Sequence, residues 1–244
     1  MTNNRLTPDA AIVLADIVAL ADAGYAQQVT RFFKTDEGSY GHEDVFIGIR
    51  MPALRALLKE VHPVPLEVCN QLIQHQYHEV RMFALLAMVK RFNSKKLERQ
   101  LIVESYLAHI DFVNNWDLVD SSCYYILGRW LYEQGLDCQQ LFDFAKSNNL
   151  WHRRIAIIST LYFIRKQRFE ETLQLAEQLL FDQQDLIHKS VGWMLREVGN
   201  RSLETMTAFL DKHAYQMPRT MLRYAIEKLP AQQRKAYLLA SGAA

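Results

Sequence analysis

Apolar residues recur at i, i+3, i+4 and i+7 in nearly every segment of this chain, and no run alternates as a half-buried strand would. The pattern predicts short helices joined by few residues. Thr7-Pro8-Asp9 reads as a helix start, with Thr7 as cap and Pro8 in the first helical position. That helix is expected to run to Ala23 and to be broken by Gly24, with a second from Tyr25 to Lys34. An acidic, glycine-containing loop to Asp44 follows, the longest irregular stretch, and then Val45–Arg50. Further helices are expected over 52–61, 66–75, 79–92, 95–110, 116–134, 138–147, 150–167, 169–181, 185–199, 203–213, 218–229 and 231–239. Short connections favour antiparallel neighbours, and pairs of roughly 40 residues have the period of HEAT-type repeats. The expected fold is all-α: a right-handed solenoid of about six HEAT-like antiparallel helix pairs, residues 1–244 forming one repeat domain around a concave face. A compact orthogonal bundle is the alternative.

The helix expected at 116–134 opens with Asn114-Asn115-Trp116-Asp117-Leu118-Val119-Asp120. Trp116 and Asp120 are one turn apart, so an indole and a carboxylate share one patch, with Tyr124 next on the same line. The apolar stripe runs Val119, Cys123, Ile126, Leu127 and Trp130, which puts that line at the shoulder of the core face. Helix-start chemistry also accounts for the segment, with Asn114 or Asn115 as cap and Asp117 against the dipole.

Two later helices break their own pattern. In 185–199 the stripe is Ile187, Val191, Met194, Leu195 and Val198, and Trp193 falls opposite it, beside Lys189 and Arg196. An indole on a cationic outer face suits a ligand, although packing against a neighbouring repeat would also occupy it. In 150–167 Arg154 lies on the line of Ile157, Ile158 and Leu161, either snorkelling to solvent or held to face an anion.

Composition narrows the field. Half of the 244 residues are apolar and formal net charge is +1, so neither disorder nor a strongly basic nucleic-acid binder is indicated. The balance shifts along the chain, from −3 over residues 1–122 (12 basic, 15 acidic) to +4 over 123–244 (16 basic, 12 acidic). A polyanion is therefore expected to meet mainly the second half. Cys69, Cys123 and Cys138 form no CxxC and read as reduced thiols, Cys123 on an apolar stripe. The apolar run Ala10–Ala21 is interrupted by Asp16 and is too short for a membrane span, and Met1–Arg5 lacks a signal-peptide core. Glycine-rich phosphate loops, GxSxG and HExxH are absent, and His75 and His78 read as surface polar residues rather than metal ligands. What remains is Trp116, Asp120, Arg154 and Trp193: two indoles, a carboxylate and a guanidinium, a set suited to a cation beside a phosphate.

Asn115–Asp120, Leu150–Ala156 and Lys189–Glu197 resemble signature stretches of the AlkD-like DNA alkylation-repair glycosylases. Phe32–Thr35 with Phe46–Arg50 is similar to that family's N-terminal signature. The resemblance spans about residues 25–229 and implies a HEAT-like solenoid whose concave face binds duplex DNA. It implies excision of cationic N3- and N7-alkylated purines in base excision repair, without metal or cofactor. By the same resemblance Trp116, Asp120 and Trp193 match the catalytic residues and Arg154 the phosphate-contacting arginine; Phe32, Lys189 and Arg196 are placed at the DNA. Some members carry tyrosine where Phe32 stands, and the acidic loop 36–44 is longer than in the shortest members. Alkylated duplex DNA is the expected partner, with no membrane and no obligate protein partner, in a bacterial-type cytoplasm on the nucleoid. The rival reading is a non-catalytic helical-repeat scaffold that binds DNA structure or a protein.

Overall fold

The computed structural model describes residues 9–240, so Thr7 and Pro8 lie outside the described residues. Among the described residues the chain is all-α, with strand-like pairing confined to an isolated parallel bridge between Val45 and Tyr77. No single helix among the described residues is long and apolar enough to cross a membrane. The chain divides into two compact units, Met1–Ser122 and Cys123–Ala244.

Unit 1 contains α1 (Ala10–Val18), α2 (Ala23–Phe33), α3 (Met51–Val61), α4 (Leu66–Leu72), α5 (His78–Ser94), α6 (Arg99–Ala108) and all but the last residue of α7 (Trp116–Cys123). Two expectations at the N-terminal end need correction. The cap of α1 is Asp9, whose carboxylate accepts the Ala11 N–H at 2.9 Å. Gly24 breaks nothing: α1 stops at Val18, and Gly24 sits in the first turn of α2. The reason is Asp22, which accepts the Tyr25 N–H at 3.0 Å and so satisfies a donor that every helix start exposes. Lys34, in the left-handed region at φ 50°, ends α2.

Buried α5 organises this unit. Val80, Phe83, Ala84, Leu85 and Met88 leave it no exposed face at its centre, and α3, α4 and α6 pack on it. Its first turn also buries His78, Glu79 and Arg81. Glu79 accepts the backbone N–H groups of Ile47, Gly48 and Ile49 at 3.1, 2.8 and 3.1 Å, giving the irregular segment 45–50 the partners a helix would have supplied. Gly48 is required there: φ is +82°, and a Cβ would stand 2.0 Å from the Asp22 carbonyl oxygen.

Unit 2 begins within a helix that changes winding. Where one α-helix over 116–134 is expected, α7 gives way to a π-turn, Tyr124–Gly128, before α8 (Arg129–Gln134). The π-turn begins at Tyr124, the third residue of the Trp116–Asp120 line, which is buried at 7 % exposure. There follow α9 (Gln139–Ala145), α10 (Leu150–Ser159), α11 (Leu161–Arg165), α12 (Glu170–Gln178), α13 (Asp185–Gly199), α14 (Leu203–His213), α15 (Arg219–Ala225) and α16 (Ala231–Ala240). The helix expected over 150–167 is interrupted at Thr160, whose N–H and hydroxyl both donate to the Ile157 carbonyl, at 3.2 and 2.7 Å. The stripe expected on α13 is fully buried. That helix lies against α15 at Gly192, where a Cβ would stand 2.4 Å from the Met221 carbonyl oxygen and 2.5 Å from Tyr224 Cβ. The three cysteines are free thiols buried in the core; burial pushes Cys69 up to about 12 and Cys138 up to about 11, which keeps those two protonated at neutral pH.

Candidate functional site

In unit 1 an open cleft of about 340 Å³ lies between α2 and α7. Its α2 side is aromatic, from Tyr25, Phe32 and Phe33; its α7 side carries Trp116, Asp117 and Ser121. Trp116 is the hinge of this arrangement. Its indole stacks on Phe33 (centroids 5.2 Å apart, planes 14° apart) and meets Phe32 edge-on at 5.7 Å. Phe33 is buried, whereas Phe32 is 66 % exposed and forms the outer lip. The Trp116 backbone N–H donates to the Asn115 side-chain oxygen at 2.7 Å, fixing the first residue of α7. Thus the structure brings Phe32 and Trp116 together. Asp120, one turn on from Trp116, is half-buried and does not line the cleft.

Under α7 lies a polar cluster that the sequence reading missed. His78 is 2 % exposed, not a surface residue, and each ring nitrogen meets a carboxylate: Nδ1 to Asp44 at 3.2 Å and Nε2 to Asp117 at 2.9 Å. Asp44 also accepts from Arg81 and from the Asn115 amide. Burial alone would push the His78 imidazole down, but Asp117 and then Asp44 more than reverse that, holding it up at about 9. The Asp44 carboxyl goes the other way: burial would raise it, yet His78, Arg81 and Asn115 together hold it below the ordinary carboxylate value. Two carboxylates and two cations form a charge-balanced cluster beneath an aromatic floor, where Phe46 stacks on the His78 ring at 4.4 Å.

The acidic loop also reads differently. Asp36, Glu37 and Glu43 are exposed, but Asp44 spends its charge inward, on His78 and Arg81. The only signals available in sequence were the His75/His78 spacing and an acidic loop, and neither names its partner.

Arg154, Lys189, Trp193 and Arg196 belong to unit 2. Arg154 is 5 % exposed, so it does not snorkel to solvent; its Nη1 donates to the Leu186 carbonyl of α13 at 2.7 Å. The neighbouring Arg153 pairs with Asp182 at 2.6 Å. On α13 the expected cationic outer face is largely compensated. Lys189 pairs with Asp185 at 2.7 Å, and Arg196 pairs with Glu227. Asp185 is held below its ordinary value, chiefly by the hydrogen bond from Lys189. Trp193 is half-buried, between the fully exposed and fully packed alternatives.

No curated protein matches this sequence. A solved structure described as "Predicted DNA alkylation repair enzyme from Enterococcus faecalis" is similar at a TM-score of 0.70 and 20 % identity, over 86 % of this chain and 97 % of that one. At that identity the likeness establishes the all-α fold. A family model described as "DNA alkylation repair enzyme" matches residues 13–229, which include Phe32, Trp116, Asp120, Arg154, Lys189, Trp193 and Arg196. The chain belongs to the DNA alkylation repair enzyme family.

Proposed function

We propose that this enzyme is a DNA glycosylase that hydrolyses the N-glycosidic bond of cationic N3- and N7-alkylated purines in duplex DNA. The observation that carries this reading is Trp116, held open in an aromatic cleft with the Asp120 carboxylate one helical turn away. An alkylated purine already bears positive charge and leaves readily, so a strong general acid is not needed. The barrier lies in positive charge developing on the deoxyribose, the oxocarbenium-like state shared with sugar hydrolysis. Asp120 stabilises that charge and orients the attacking water. The electron-rich face of Trp116 holds the sugar, Trp193 is assigned to catalysis on the family resemblance alone, and Phe32, with no hydroxyl to offer, contributes apolar contact at the lip. Lys189 and Arg196 supply backbone contacts in this scheme; Arg154, matched to the family's phosphate-contacting arginine, is buried and donates to the Leu186 carbonyl, so its share is the smallest. Because the first two are already paired with carboxylates, their contribution is smaller than their formal charge suggests.

The test is release of base from methylated duplex DNA by wild type and Asp120→Asn. The variant is expected to bind DNA like wild type and to lose most of the release; equal release by both would remove Asp120 from the mechanism. Binding without release by wild type would favour a protein that reads DNA structure and leaves the lesion in place.

A further inference from the structure

A second cleft, in unit 2, lies between α15 and α16 and encloses about 500 Å³. Arg219, Arg223, Arg234 and Lys235 line it, over a floor that includes Ile226 and Leu238. The segment 219–235 contains five basic residues (Arg219, Arg223, Lys228, Arg234, Lys235) and one acidic residue, Glu227. Five minus one is +4, which equals the whole excess of positive charge in residues 123–244. The cleft itself is lined by four of those cations and by Glu227, a local balance of +3, with Lys228 outside its lining.

Among the described residues, ion pairing leaves Arg223, Arg234 and Lys235 available. Glu227 pairs with Arg196, with Lys228 at 3.6 Å beside it. Arg219 donates to the Leu238 carbonyl at 2.5 Å, tying α15 to the C-terminal turn of α16, and the Tyr237 hydroxyl donates to Asp211 at 2.8 Å. α16 is therefore anchored by neutral or single-residue contacts, while Arg223, Arg234 and Lys235 are exposed on the cleft. Like charges brought together repel, and of the four only Arg219 ties α15 to α16.

We infer that the α15–α16 cleft is a grip for the phosphate backbone of duplex DNA, in which Arg219, Arg223, Arg234 and Lys235 engage successive phosphates and the apolar floor receives deoxyribose. This inference rests on DNA being the substrate, and it adds a contact that is blind to both sequence and lesion. A strand presents a phosphate about every 3.4 Å along the duplex axis, so a cleft lined by four cations meets more than one. Duplex DNA fits better than an acidic peptide because its charge is regularly spaced and the family acts in DNA repair.

The experiment uses the full chain and an undamaged duplex, with affinity measured by fluorescence anisotropy across a salt series. The triple variant Arg223→Ser/Arg234→Ser/Lys235→Ser leaves Arg219 in place, because Arg219 holds α16. Each phosphate contact contributes about 0.9 to the slope of log K against log salt, so the variant is expected to lose about 2 to 3 from that slope. Arg223→Lys/Arg234→Lys, which keeps the charge, is expected to retain it. A triple variant with wild-type slope and affinity overturns the inference while leaving the glycosylase reading standing. Wild type that neither binds duplex nor releases base overturns both. A polyglutamate peptide that binds wild type but not the triple variant, with the DNA slope unchanged, reassigns the cleft to an acidic protein segment and also overturns it.

Discussion

Replacing His78 by Gln removes the one cation that faces both Asp44 and Asp117, and leaves two carboxylates across a neutral amide. The size of the effect follows from the proton that wild-type His78 holds. A rise from the ordinary 6.5 to about 9 corresponds to about 3 kcal/mol of folding stability, an order-of-magnitude figure for a side chain this deeply buried. Because the folded value lies above the unfolded one, that stability is fully present below about pH 6.5 and is lost as pH rises through about 9. Asp44 has the opposite sign: its folded value is depressed, so its contribution is present above about 3.8 and lost as pH falls. The cluster therefore contributes most between about pH 4 and pH 6.5. Urea unfolding of wild type and His78→Gln, followed by helical circular dichroism at about pH 6, 7.5 and 9.5, reads this directly. The gap between the two proteins is expected to be about 3 kcal/mol at the lowest pH and to close by more than half at the highest. A gap that stays constant across the series would mean that the imidazole is neutral in the folded protein, and the charge-balanced cluster would have to be abandoned. Nitrogen resonances of His78, showing both ring positions protonated near neutral pH, would make the same point independently.

Other outcomes follow from single contacts. Arg154→Ala removes the donor to the half-buried Leu186 carbonyl, and is expected to cost about 1–3 kcal/mol in thermal unfolding; no change in Tm would show that water or a neighbour replaces it. Gly192→Ala places a methyl against the Met221 carbonyl and Tyr224, and is expected to cost about 1–3 kcal/mol and to shift tryptophan emission through the adjacent Trp193. Wild-type stability in that variant would show that α15 moves aside freely. Asp120→Asn separates chemistry from binding at the proposed active site, and the α15–α16 triple variant separates backbone grip from lesion recognition.

How much of this was legible beforehand depends on how local each feature is. The α-helical class, the buried stripe of α13 and the core placement of Cys123 all follow from periodicity, which a chain carries within a few residues. Trp116 was legible for the same reason, because its capping neighbour Asn115 and the turn that carries Asp120 are contiguous with it. Boundaries were less secure where a side chain competes with the pattern: Asp22 starts α2 through Gly24, Thr160 interrupts α10, and the π-turn after Cys123 interrupts an α-helix that simple helical counting would have continued.

Local periodicity, then, set the helices and their inward faces. Tertiary structure alone decided which charges are available. His78 is paired with residues 34 and 39 positions away, Arg196 with one 31 away, and Arg154 turns to a carbonyl 32 away. Whether a carboxylate repels DNA or an arginine attracts it depends on such partners. Coulomb energy is set by distance in space and by the dielectric around the pair, and the linear chain specifies neither until it has folded.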